Sequence, residues 1–106
     1  MNDVLLAQEV ATHVVVRNTI DAWLASDPDD RPERPGRRLR LLDAALQPLA
    51  GTLEPVALRR LRHALTLTIG TEAVLATRDV CGLDPGEARA VTRWAAEALV
   101  RQALAG

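Results

Sequence analysis

At 106 residues and 11.5 kDa the chain has room for one domain and one hydrophobic core, which excludes an enzyme with a separate cofactor domain. Hydrophobic residues at 48% and charged residues at 25% exclude a disordered chain and place it among ordinary globular proteins. The net charge is -1, with every one of the 13 cationic side chains an arginine, so there is no field to draw in DNA or an anionic membrane; Trp23 and Trp94, the only aromatics, cannot build a stacking platform for single strands.

Apolar residues recur at helical spacing from Asp3 to Ser26, with Val4, Ala7, Ala11, Val14, Val15 and Ala22 on one stripe and Gln8, Glu9, Thr12, His13, Arg17 and Asp21 on another. The β-branched run Val14-Val15-Val16 favours a strand locally, but it is too short to outweigh a pattern held over six turns. The segment DPDDRPERPG, Asp27 to Gly36, forbids regular structure through its prolines and reads as a solvated loop. A second helix follows from Arg37 to Leu46, with Leu39, Leu42, Ala45, Leu46 and Leu49 on one face and Pro48 with Gly51 ending it. Arg31, Arg34, Arg37, Arg38 and Arg40 lie near it, and their acidic neighbours favour solvated ion pairs over a phosphate site.

The GTLEP segment starts a third helix at Thr52 to Pro55, and the pattern carries it to Val80 or Cys81 as one element. Between Ala64 and Thr77 its only charge is Glu72, so this stretch must be covered on all sides. The alternation LTLTI also fits a buried strand; the length of the apolar pattern favours helix. Gly70 costs about 1 kcal/mol of helix propensity, which points to a close backbone approach there. Gly82 stops this helix, and Asp84-Pro85-Gly86-Glu87 starts a fourth with an N-cap, a first-turn proline and a capping-box glutamate in register. Arg89, Arg93, Glu97 and Arg101 then form a polar arc against Ala88, Val91, Trp94, Ala95, Ala98, Leu99 and Ala103. The expectation is a single all-α domain over residues 1–106, four antiparallel helices with one long loop.

No nucleophile, base or metal constellation has the spacing an enzyme needs, so neither catalysis nor a cofactor nor a metal is expected. His13 and His63 read as surface histidines, and Cys81 as a packing residue. A lone cysteine excludes an intramolecular disulfide and fits a cytoplasmic setting; the N-terminus has neither a basic signal region nor a membrane-length apolar run. Glu72 stands out, because a carboxylate in an uncharged helical stretch must be paired, solvated in a cavity or neutral. Arg89, Arg93 and threonine hydroxyls are its candidate partners. With Thr68 and Thr71, and with Thr66 and Thr77 nearby, Glu72 marks the candidate site for a small apolar or amphipathic ligand. Threonines that bond back to their own helix would look the same in sequence.

The stretch from Leu58 to Leu104 resembles the C-terminal part of TetR-family bacterial transcriptional regulators. IGTEA at Ile69 to Ala73, RDVCGLDPGEA at Arg78 to Ala88 and RWAAEALVRQAL at Arg93 to Leu104 carry the likeness, and PGRRLRLLDAALQPL at Pro35 to Leu49 extends it. The resemblance implies a helical effector-binding and dimerisation domain whose last two helices form a four-helix bundle with those of a partner. Trp94, Ala95, Ala98 and Leu99 are then the dimer interface. The family's helix-turn-helix, which ends in a signature rich in tyrosine and phenylalanine, has no counterpart here, since both residues are absent from the chain. DNA binding would come only through such a missing N-terminal part, and the chain would be a fragment of a longer regulator or a solitary remnant of one. The competing expectation is a stand-alone helical interaction module that binds another protein through the wide apolar arc of the fourth helix.

Overall fold

The structure, a computed structural model, describes residues 3–24 and 37–106. Among the described residues it is all-α, with five α-helices and no strand: α1 (Asp3–Leu24), α2 (Arg37–Ala45), α3 (Pro55–Leu65), α4 (Thr71–Leu75) and α5 (Pro85–Ala105). A short 3-10 turn, Gln47–Leu49, follows α2, and α4 continues through one wider turn, Ala76–Val80. The expected loop at 27–36 lies outside the described residues.

Helix α1 forms where the periodicity places it, but its buried side coincides with the expected stripe only in part, at Val15 and Ala22, with Ala11 and Val14 half-buried. Thr12, Val15, Val16, Thr19, Ile20, Ala22 and Trp23 are buried, whereas Val4 and Ala7 are exposed. Thr12 belongs to the core and not to the polar stripe because its hydroxyl has a partner at hand: it donates to the Gln8 carbonyl at 2.7 Å. Thr19 does the same to Val15 at 2.9 Å. A threonine satisfied in this way packs much like a valine.

Helix α5 pairs most extensively with α1 and also packs on α3. Its buried side is Ala88, Thr92, Ala96 and Val100, one residue per four-residue step. Three of these are small, which lets neighbouring backbones come close, and the Thr92 hydroxyl donates to the Ala88 carbonyl at 2.9 Å. Arg101 near the end of α5 pairs with Glu9 near the start of α1, as antiparallel helices require. Helix α2 lays Leu42, Ala45, Leu46 and the following Leu49 into the core, as expected. The Asn18 side-chain amide donates to the Ala45 carbonyl at 3.3 Å, taking up an acceptor that the end of α2 leaves open.

The third expected helix is two. Helix α3 ends at Leu65, three tightened turns follow, and α4 starts after Gly70. The apolar pattern runs straight through this break, so periodicity alone cannot see it. Its cause is backbone and hydroxyl chemistry: Leu67 N–H and Thr68 N–H donate to carbonyls three residues back, and Gly70 takes φ 95, ψ 176, a conformation essentially confined to glycine. As a result Leu67 is 80% exposed while Leu65 and Ile69 on either side are buried.

Candidate functional site

The break removes Glu72 from the setting the sequence implies for it. Instead of lying midway along a covered helix, it sits in the first turn of α4 with its side chain 77% exposed. Its partner is neither Arg89 nor Arg93 but Arg38 of α2, whose Nη2 donates to Oε2 at 2.6 Å. The carboxyl is held below its ordinary pKa, first by its own backbone N–H and then by the Arg38 guanidinium. A carboxylate there suits the positive end of α4.

The threonines near it turn inward to their own backbone. The Thr68 hydroxyl, buried, donates to the Leu65 carbonyl at 2.7 Å, and that of Thr66 to His63. Thr77 donates to Ala73 at 3.0 Å and Val74 at 3.2 Å. Thr71 opens α4 and is half-buried. Glu72 and Thr71 are therefore neighbours at one helix start, while Thr68 lies on the core side of the bend.

The residues expected at a dimer interface divide by position around α5. Trp94 is 73% exposed and Ala98 is exposed, whereas Ala95 and Leu99 are half-buried at the border with the core. Val91, at 47%, completes the outward stripe with Trp94 and Ala98. Sequence reasoning merged two faces here. Of the expected apolar arc only Ala88 belongs to the buried row; Thr92, Ala96 and Val100, which complete that row, lie beside the arc, while Val91, Trp94 and Ala98 of the arc face outward. A second exposed apolar set lies at the start of α1, with Val4, Leu5, Leu6 and Val10 each more than half exposed.

Several charged side chains form ion pairs at the helix edges. Arg62 Nε lies 2.7 Å from Asp43 Oδ1, joining α3 to α2. His13 approaches Glu9 at 3.4 Å one turn along α1, and the Glu9 carboxyl is lowered chiefly by its hydrogen bond from Arg101. No group of three His, Cys, Asp or Glu residues that could hold a metal ion occurs among the described residues. No helix among them is long and apolar enough to cross a membrane. Cys81, expected as a packing residue, is instead exposed, and it is not in a disulfide. The Trp23 indole N–H, by contrast, is buried without a hydrogen-bond partner among the described residues. No family model, no curated protein and no solved structure is matched by the chain.

Proposed function

We propose that the chain is a ligand-sensing and dimerisation domain of the TetR type, without catalytic activity, that pairs through the outer face of α5. The observation that carries this reading is the Val91, Trp94 and Ala98 stripe. Its spacing of three and four residues is that of a helix-packing seam, and a tryptophan left 73% exposed on it is a large apolar surface in need of cover. Ala98 beside Trp94 leaves room for a facing ring, and a two-fold axis would give each tryptophan such a neighbour. The likeness of Leu58 to Leu104 to the family supports the same assignment. DNA contact would then belong to a separate helix-turn-helix, and the effector would be a small apolar or amphipathic molecule near Glu72, Thr68 and Thr71.

Light scattering tests the pairing. The expected result is a dimer mass for the wild type and a monomer for Ala98→Arg with unchanged far-UV circular dichroism; a dimer that survives the substitution would sink the α5 assignment. Thermal shift against hydrophobic compounds tests the sensing, with hits expected to stabilise wild type more than Glu72→Gln. A second reading, a stand-alone module that binds another protein, is favoured by the exposed Val4, Leu5, Leu6 and Val10 of α1. A monomeric wild type with no ligand hits would leave that reading.

A further inference from the structure

Between α3 and α4 the chain bends where its sequence offers little to stop a helix. No proline lies between Pro55 and Pro85, and Leu61, Leu65, Ile69 and Ala73 follow one another at four-residue steps. In the bent form the first three are buried and Ala73 packs half-buried against the same core. In one straight helix these four side chains would again share a face. A straight form would therefore still present these four residues to one side.

Local contacts hold the bent form. The Thr66 and Thr68 hydroxyls occupy the His63 and Leu65 carbonyls at the end of α3. Gly70, at φ 95 and ψ 176, provides the change of direction. The Arg38 guanidinium lies across Gly70 in the space that a Cβ would fill, and it is anchored beyond the bend on Glu72 at 2.6 Å. Arg38 thus crosses the joint from α2 to α4. Its side chain is 36% exposed and that of Glu72 77%, so the pair is open to solvent and contributes modestly. A modest contribution is what a reversible latch needs.

We propose that residues 66–70 form a two-state hinge, held bent by Arg38 strapped across Gly70 onto Glu72, and that release of Arg38 lets α3 and α4 join as one helix. The device makes the orientation of α4 depend on α2, which carries Arg38, so whatever draws α2 or its guanidinium away is transmitted to α4 and the wider turn after it. This inference rests on the joint alone and does not depend on the sensing or pairing proposed above.

Chemical exchange saturation transfer on the 13Cα and 15N nuclei of the intact chain tests it, because a straightened joint gives residues 67–70 helical shifts. The wild type is expected to show a minor state with those shifts. Glu72→Gln and Arg38→Met should each raise its population about two- to five-fold, the range an exposed ion pair supplies, and the double variant should go no further than either alone. Gly70→Ala denies the bend its backbone angle and puts a methyl group in the place of Arg38; it should make the straight form the major one. If Gly70→Ala fails to fold, the two single variants decide. Folded Glu72→Gln and Arg38→Met proteins with no helical minor state at residues 67–70, or with an unchanged population, would overturn the hinge.

Discussion

Helix α5 and the segment from Pro55 to Val80 are of similar length and similarly rich in apolar residues, yet the first is one unbroken helix and the second is divided near its middle. The difference lies in what each chain stretch does with its own backbone. Asp84 Oδ1 accepts from the Glu87 N–H at 2.9 Å, Pro85 presets the first turn, and no glycine interrupts the helix after Gly86. Within α5 and α1 the buried threonine hydroxyls, Thr92, Thr12 and Thr19, reach carbonyls four residues back, which leaves the helical ladder in place. At the bend, Thr66 and Thr68 reach only three residues back, where the backbone itself has tightened. Apolar content says which segments are helical; the local bonding of threonine and glycine decides how far each helix runs.

A large effect is expected on the buried row of α5. Ala96 is fully buried on the side of α5 that meets α1 and α3, so Ala96→Leu forces extra methylenes into a closely approached seam. A loss of about 1–3 kcal/mol is expected by urea denaturation, with the m-value unchanged. A loss under ~0.5 kcal/mol would mean that α5 is loosely seated and that its contrast with the bent segment is one of backbone only.

How much of this was legible from residues alone follows the same division. The start of α5 was, because Asp84, Pro85 and Glu87 each act on neighbours within one turn. So was the inward face of α2, from Leu42 to Leu49. The bend was not, since Gly70 in a helical pattern signals only reduced propensity until Arg38, distant in sequence, is seen to cross it. Glu72 stands out in the sequence for surroundings it does not have, because its apparent burial assumes an unbroken helix, whereas the side chain is exposed and paired with Arg38. Thr12 and Thr92 were hidden for another reason: a hydroxyl bonded to its own helix behaves as an apolar surface, and composition counts it as polar.

A smaller effect, in acid, sharpens the comparison at the start of α5. The Asp84 carboxyl is held below its ordinary value, mainly by the Glu87 N–H and next by the Glu87 carboxyl. Its contribution to stability is therefore whole above the ordinary carboxylate range and disappears as pH falls through the lowered value. Glu87 has the opposite sign: its pKa is raised by sharing a bond with Asp84, so its contribution is present in acid and lost as pH rises through the raised value. Wild type should melt a few degrees above Asp84→Ala in mild acid, and the gap should narrow as the pH falls through the lowered Asp84 value. No gap in mild acid would show that the Asp84 carboxylate does not cap α5.

The smallest effect is expected in the bend itself. Leu67 has the same side chain as Leu65, two residues away, but it is 80% exposed while Leu65 is fully buried. In an unbroken helix Leu67 would lie on the side opposite Leu65, and the covered stretch inferred from the sequence would bury it there. In the bent form it contacts water, and no buried neighbour depends on it. Leu67→Gln should therefore change the unfolding free energy by no more than ~0.5 kcal/mol, the range for surface positions, whereas truncating a buried leucine such as Leu65 to alanine costs about 2–5 kcal/mol. The pair of measurements reads the break thermodynamically. A cost for Leu67→Gln approaching that of Leu65→Ala would mean that a covering surface closes over the bend in solution, and a docked partner would then have to supply it.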